Sequence, residues 1–460
     1  MERISLWMRR AIYNLRGGFL VRPLSIALVL GCTGAVLSWI EEQAPGIGAW
    51  MPKVLFPSRA DPQVAQVILA GIAASIMTVV SIVFAILLMT LTLASMQFSP
   101  RIILSFTRDR VTQWTLGVFL GTFTYCMAAL PAARSLPSPV SPVVTVLGAM
   151  LLALACVCWL LFFIHHIAIA ISVNQIVDKI ASETETVIDQ MMPEPRGAVS
   201  LVKSAASEEP AYDTPVLSEE SGYIRYVDIS RLLSLANSND MCVRVLRRVG
   251  QFIPAGAPLL QVSNGRRLSA DARTDLLGTF DLGPARTLQQ DLEFGVLQIV
   301  DIALRALSPA VNDPSTAISC IDQLSRILIR FAARRPLGWT LYDPPGVPRV
   351  RIPWVDLERL LETAFEQIRL YSKTDVAVSL RILRALCDVC GSLSDPALRA
   401  PLAERGRRIV AGCVEALADE ELTELRKRQA DLESMAASAD PVAVGCSRTF
   451  PPDDLRRNRP

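Results

Sequence analysis

A long uncharged segment constrains this chain more than any other feature of its sequence. Residues 64–98 contain no Asp, Glu, Lys or Arg. An α-helix rises about 1.5 Å per residue, so a helix of this length exceeds the roughly 30 Å of hydrocarbon in a bilayer. The segment therefore predicts a membrane-spanning helix that projects beyond the membrane.

The same segment carries a stripe of small and hydroxyl residues. Its members recur at helical spacing on one slowly drifting face: Gly71, Ser75, Thr78, Ser81, Ala85, Thr92, Ser95 and Ser99. Small and hydroxyl side chains let helices approach closely in lipid, and they also line polar paths through membranes. The stripe therefore indicates either helix packing or contact with water, and the sequence leaves both open.

Further apolar segments predict a four-helix transmembrane domain over residues 23–173. Its spans are expected at about 23–40, 64–98, 111–132 and 142–171. The third contains Gly117 and Gly121 at the GxxxG spacing that allows close helix contact. Residues 1–22 combine five arginines with apolar side chains, which is typical of a basic amphipathic segment at a membrane surface.

Basic residues in the short loops predict the orientation. The five N-terminal arginines and Arg101, Arg108 and Arg110 fall on one side of the predicted spans. Loops rich in Lys and Arg remain in the cytoplasm. We therefore expect a multi-pass protein of the bacterial inner (plasma) membrane, with both termini cytoplasmic and the lipid bilayer as its first partner.

The rest of the chain has the composition of a soluble protein. We expect a helix extension and linker at 174–221, a small β-rich module at 222–285, a cytoplasmic helical domain at 286–437 and a disordered tail at 438–460. In the β module, strand-like runs alternate with glycine turns. The predicted fold class is thus an integral membrane α-helical protein with a cytoplasmic, mostly α domain and a small β module.

One helix and the loop that follows it carry most of the polar candidates in the soluble half. Thr287 and Gln290 have capping-box spacing, which predicts a helix from Thr287 to about Leu307. Asp291, Asp301 and Arg305 recur on one of its faces. The segment from Ser308 to Pro314 predicts a specified turn that contains Asn312, with Asp313 capping the next helix.

These residues resemble the signature of a known family. The chain is similar to the bacterial predicted-membrane-protein family catalogued as domain of unknown function 2254. The residues that carry the resemblance are Gln97–Arg101, Asp109, Arg286-Thr287, Gln290-Asp291, Phe294-Gly295 and the run from Asp301 to Ala317. The resemblance implies four N-terminal spans and a cytoplasmic tail, and it implies no activity, because the family has none established.

The sequence contains few of the features that predict catalysis or nucleic-acid binding. It has no GxxxxGK[ST], GxSxG or HExxH motif, and its only histidines are His165 and His166. We therefore favour a non-enzymatic role and expect no cofactor or metal. The net charge of +2, without a run of Lys and Arg in the soluble half, argues against nucleic acid.

Two functional hypotheses follow. The first is an oligomeric channel or transporter-like assembly, a homo-oligomer with a cytoplasmic regulatory domain. The alternative is a membrane-tethered sensor or scaffold that binds a protein or small ligand through its cytoplasmic domain. The candidate functional residues for these hypotheses are Thr78, Ser81, Thr92, Ser95, Arg101, Asp109, Asp291, Asp301, Arg305, Asn312 and Asp313.

Overall fold

The computed structural model describes residues 21–44, 62–97, 110–133, 143–170, 172–192, 211–265, 268–334, 340–343, 347–393 and 395–438. The chain divides into two compact units, one that ends at Gln175 and one that begins at Ile176. Each unit has its own buried residues, and each is described by itself.

The described part of the first unit contains four long helices. They are α1 (Val21–Gln43), α2 (Pro62–Gln97), α3 (Arg110–Ala129) and α4 (Val143–Ala170). Three of them, α1, α2 and α4, are long and apolar enough to cross a membrane by length and composition. The structure therefore supports three candidate spans, and the predicted fourth is not confirmed.

The third predicted span, α3, is less apolar than the other three helices because it buries polar side chains. Helix α3 buries polar side chains against its neighbours, among them Thr112, Gln113, Thr115 and Thr122. Polar groups of this kind lower the mean hydropathy of the helix, while its contacts with the rest of the bundle keep them away from lipid. The helix itself is present, as the sequence predicted.

Close packing of α1 on α3 explains the glycines at GxxxG spacing. A Cβ at Gly117 would come within 2.5 Å of the side chain of Ile26, and a Cβ at Gly34 within 2.6 Å of the carbonyl oxygen of Tyr125. Neither position has room for a larger residue. The glycines of α3 thus pack against another helix of the same chain.

The second unit opens with an amphipathic helix, α5 (Val173–Met191). The sequence predicted one helix continuing from the fourth span, whereas α4 ends at Ala170 and α5 begins three residues later. From Ile176 onward α5 belongs to the second unit. Its buried face consists of Ile176, Val177, Ile180, Ala181, Thr184, Val187 and Ile188.

Within the described residues, eight strands and two short helices form the β part of this unit. They are β1 (Thr214–Leu217), β2 (Gly222–Val227), α6 (Ile229–Ser238), β3 (Val243–Val245), β4 (Phe252–Ile253), β5 (Pro258–Val262), α7 (Ala270–Leu277), β6 (Phe280–Gly283), β7 (Thr340–Asp343) and β8 (Val347–Arg351). The strand orders are β1-β5-β3-β8-β7 and β4-β2-β6. Strands β1, β7 and β8 come from outside residues 222–285, and β8 pairs in parallel with β3.

The helical part begins with α8 (Leu292–Ala306), which is buried on nearly every side. It also contains α9 (Pro314–Ala332), α10 (Leu357–Tyr371), α11 (Val376–Ser392), α12 (Ala400–Cys413) and α13 (Asp419–Ala437). The prediction that α8 starts at Thr287 is wrong. The helix starts at Leu292 because the side chain of Asp291, not of Thr287, accepts the capping hydrogen bond from Phe294.

Candidate functional site

A cleft opens in the second unit where the β part meets the helical part. Its enclosed space is only about 30 Å³, and the rest of the depression opens to solvent. The β part contributes Val227, Ile229, Arg247, Arg248 and Val249, the start of α8 contributes Gln290–Glu293, and the segment before α10 contributes Ile352–Val355. Ligand sites commonly lie at such junctions between substructures.

Asp291, at the start of α8, lines the cleft and forms an ion pair with Arg286. Asp291 is only 3% exposed, and its carboxylate accepts hydrogen bonds from Nε and Nη2 of Arg286 at 2.7 and 2.9 Å. Burial disfavours the charge on Arg286, but its hydrogen bonds to Asp291 outweigh this and raise its pKa above the ordinary value. The guanidinium therefore stays charged, and Asp291 serves both as helix cap and as its counter-ion.

Glu293 lies beside this pair and contacts three arginines. Its closest partner is Arg359, whose Nε donates at 2.9 Å, while Nη2 of Arg286 lies 3.4 Å away and Nη2 of Arg248 3.6 Å away. Burial opposes ionisation of this carboxyl, but Arg248 and Arg359 more than compensate and lower the pKa of Glu293. Glu293 is thus a buried carboxylate shared between the β part and α10.

Two further contacts fix the β part against α8. The side-chain amide of Gln290 donates to the carbonyl of Val227 at 3.1 Å and accepts from its N–H at 2.9 Å. Gly250 has a φ of +87°, and a Cβ there would come within 2.6 Å of Cγ of Asp291. The loop that follows β3 is therefore held tightly against the ion pair.

Arg247 and Arg248 in this loop differ from Arg286 and Arg359 in their contacts with carboxylates. Among the described residues, Arg247 is exposed and has no partner, and the guanidinium of Arg248 has only its 3.6 Å contact with Glu293. Trp354 is partly buried and packs against the core of the β part while it lines the cleft. The cleft thus offers cationic donors beside an aromatic surface, which suits an anionic ligand with an apolar part.

Of the predicted polar residues in this unit, one belongs to the cleft. Asp291 lines it, whereas Asp301 and Arg305 lie further along α8 and are not among its lining residues. Asn312 has a left-handed backbone, with a φ of +49°, in the turn before α9. Asp313 caps α9, because it accepts hydrogen bonds from the N–H and hydroxyl of Thr316 at 3.1 and 2.5 Å.

The hydroxyl residues of α2 face outward from the first unit. Thr78, Ser81 and Thr92 are exposed, and each donates to the carbonyl four residues earlier in its own helix, at 3.1, 3.0 and 2.8 Å. Their hydrogen-bonding needs are therefore met without a partner helix or water. The side chain of Ser95 and the residues Arg101 and Asp109 lie outside the described residues.

Sequence reasoning missed most of the residues at the cleft, namely Arg247, Arg248, Glu293, Trp354 and Arg359. Two adjacent arginines that precede a glycine turn were a usable signal for Arg247 and Arg248. Nothing local links them to Arg359, since that contact depends on how α10 packs on α8. Within the described residues, no group of three or more His, Cys, Asp and Glu could hold a metal ion.

Comparison with known proteins gives the family of this chain. The family model described as "Predicted membrane protein (DUF2254)" matches residues 16–388. Uncharacterised proteins of Mycobacterium tuberculosis and Mycobacterium bovis are each 32% identical over 420 residues, which is 90% of this chain and 79% of theirs. No solved structure is significantly similar. The chain belongs to the DUF2254 family of predicted membrane proteins.

Proposed function

We propose that this chain is a membrane-tethered binding protein that takes a small ligand in the cleft of its second unit. In this proposal the first unit spans the bacterial inner membrane with four helices, and both termini are cytoplasmic. The distribution of arginines around the predicted spans supports the orientation. The helices anchor the protein, and the second unit acts as a sensor or scaffold.

The observation that carries this proposal is the state of Arg248. Its side chain is only 19% exposed, yet its guanidinium has no hydrogen-bond acceptor among the described residues. The guanidinium nitrogens of Arg248 are not among the buried atoms that lack a partner, so water reaches them. An anionic group at the cleft can replace that water and accept hydrogen bonds from the guanidinium.

Thermal unfolding of the full chain in detergent tests the proposal. The protein is mixed with pools of small metabolites that are anionic, neutral or cationic. Because a ligand that binds only the folded state stabilises it, we expect at least one pool to raise the apparent melting temperature. Trp354→Leu should remove the rise without loss of helical circular dichroism. A protein that no pool stabilises would contradict a binding function.

A second candidate function is a homo-oligomeric channel or transporter-like assembly. Thr78 and Ser81 favour it, since they are exposed on the outer face of α2 in the single chain and could face a polar path between copies. The hydrogen bonds from these hydroxyls to their own helix make this candidate weaker than the first, because they leave no unmet need for water.

Ion flux into proteoliposomes tests the channel. Wild-type protein should conduct, and Thr78→Leu and Ser81→Leu should reduce flux if α2 lines the path. Val67→Leu, on an exposed apolar position of the same helix, is the matched control. Absence of flux excludes this function, and flux that is equal in all four proteins shows that Thr78 and Ser81 do not line the path. The oligomeric state in detergent gives an independent check, because four helices in a monomer leave little room for a pore.

A further inference from the structure

Arg247 and Arg248 supply the unused donors of the cleft. Both lie shortly after β3, from which Leu246 separates them, and both line the cleft. A guanidinium carries five N–H donors in a planar fork. Among the described residues Arg247 has no partner, and Arg248 has one contact that is too long for a hydrogen bond. The neighbouring Arg286 and Arg359, by contrast, hold Asp291 and Glu293 at hydrogen-bonding distance.

Part of the cleft lining is apolar. Trp354 packs partly against the core of the β part, and Ile352, Pro353 and Val355 line the cleft on either side of it. An indole presents a large flat surface that favours planar or apolar ligand groups. A ligand with an anionic end and an apolar end therefore suits this lining, with most of its volume outside the small enclosed space.

From this arrangement we infer that the cleft binds a soluble organic phosphate, with its phosphate oxygens between Arg247 and Arg248 and its apolar part against Trp354. Phosphate offers more acceptor oxygens than a carboxylate, so it can accept from two separate guanidinium groups at once. The inference rests on the binding function proposed above and adds the chemical class of the ligand.

Glu293 is the competitor of the ligand for Arg248. The two groups lie 3.6 Å apart, a distance at which an incoming phosphate can replace the carboxylate. Glu293 would keep its contact with Nε of Arg359 at 2.9 Å and with the hydroxyl of Thr363 at 3.3 Å. Its negative charge also opposes an anion in the cleft. Glu293→Gln should therefore tighten phosphate binding severalfold, since it removes both effects.

Titration calorimetry on the full chain in detergent tests the inference with AMP, inorganic phosphate and adenosine as probes. We expect AMP to bind more tightly than inorganic phosphate, and adenosine to bind weakly or not at all. Arg247→Gln should weaken AMP at least about tenfold, the loss typical of one charged hydrogen bond. Arg273→Gln, at an exposed arginine on α7 that does not line the cleft, should leave binding unchanged.

A second variant separates the two ends of the ligand. Trp354→Leu should weaken AMP but leave the affinity for inorganic phosphate nearly unchanged, because phosphate alone does not need the apolar wall. Arg247 is exposed and has no partner within the described residues, so its substitution should not unfold the protein. Circular dichroism of each variant confirms that the fold is intact.

The outcomes separate this inference from the binding function on which it rests. Adenosine binding as tightly as AMP, or AMP binding that Arg247→Gln leaves intact, overturns the phosphate assignment. Stabilisation only by neutral or cationic metabolites in the thermal assay also overturns it, while the binding function stands. If no metabolite of any charge stabilises the protein, both proposals fail.

Discussion

Gly295 of α8 and Thr184 of α5 lie in direct contact, with no space for a side chain between them. A Cβ at position 295 would come within 3.0 Å of both Cβ and Cγ2 of Thr184 and would overlap its hydroxyl oxygen. Thr184 is fully buried, and its hydroxyl donates to the carbonyl of Ile180 at 2.7 Å. Helix α5 is thereby packed onto α8.

Gly295→Ala should destabilise the protein. Threonine is β-branched and short, so its side chain cannot move aside without loss of its rotamer and its hydrogen bond. Overpacking of this kind typically costs about 1–3 kcal/mol, which outweighs the gain of up to ~1 kcal/mol from replacing a helical glycine. The apparent melting temperature of the full chain in detergent should fall.

Two variants test whether the contact itself causes the loss. Gly391→Ala places a methyl group on α11 at 3.6 Å from the end of Met435, an ordinary contact, and should be neutral or mildly stabilising. Thr184→Ala combined with Gly295→Ala should recover much of the lost stability, because it removes the clashing atoms. A double variant no more stable than Gly295→Ala would contradict this explanation.

Two glycines of the β part allow a matched comparison at the cleft. Gly250 and Gly256 both have a positive φ, +87° and +81°, so an alanine at either position is strained. Only at Gly250 would the new methyl group meet atoms, namely the carboxylate of Asp291 and the guanidinium of Arg286. A Cβ at Gly256 would have nothing within 4 Å of it.

Gly250→Ala should therefore lower stability much more than Gly256→Ala. We expect about 1 kcal/mol of backbone strain in both, and a further ~3 kcal/mol at Gly250 if the buried pair is forced apart. Thermal unfolding of the two variants under the same conditions measures the difference. Equal losses would mean that the ion pair can shift without cost.

Sequence patterns predicted the elements of this fold better than its contacts. The apolar runs predicted α1 to α4, and Asp313 predicted where α9 begins. These signals are local. Strand β8 was missed because its pairing with β3 joins Val243 to Val350, and no local pattern indicates a partner so distant in the chain.

At the candidate site, too, the sequence predicted residues but not their contacts. Asp291 was identified from its spacing on α8, but as part of a polar face, whereas it is a buried cap and counter-ion of Arg286. A charged residue at helical spacing is usually solvated. The buried ion-pair cluster forms only because the fold brings Arg248 and Arg359 to Glu293.

The cap of α9 should give a pH-dependent contribution to stability. Hydrogen bonds from the hydroxyl and the N–H of Thr316 hold the pKa of Asp313 below its ordinary value. Because the pKa is lower in the folded state, this contribution is fully present above the unfolded-state pKa of about 4 and is lost as the pH falls through the folded-state pKa.

Asp313→Asn keeps a capping side chain but cannot ionise. Relative to this variant, the wild-type protein should be more stable near neutral pH, by up to about 1 kcal/mol, and the advantage should begin to fall at about pH 4 and vanish below the folded-state pKa. Taking the difference between the two proteins removes the effect of carboxylates elsewhere. Thermal unfolding of both proteins from neutral pH to below about pH 4 measures this difference in stability. A wild-type advantage that grows as the pH falls would contradict the prediction.

Glu41 caps α4 from the end of another helix. It lies at the end of α1 and is buried, and its carboxylate accepts from the N–H groups of Val144 and Thr145 at 2.7 and 2.9 Å and from the hydroxyl of Thr145 at 2.5 Å. A carboxylate at a helix N-terminus also interacts favourably with the helix dipole.

Glu41→Leu should destabilise the first unit, because it leaves the N–H groups of Val144 and Thr145 buried without their acceptor. The loss of such a cap is worth about 1–2 kcal/mol, and the orphaned donors add to it where water is scarce. Glu41→Gln keeps one acceptor oxygen and should lose less. Gln43→Leu, at an exposed position two residues further along α1, is the matched control and should change little. Apparent melting temperatures in detergent that are equal for Glu41→Leu and Gln43→Leu would show that α4 does not depend on this cap.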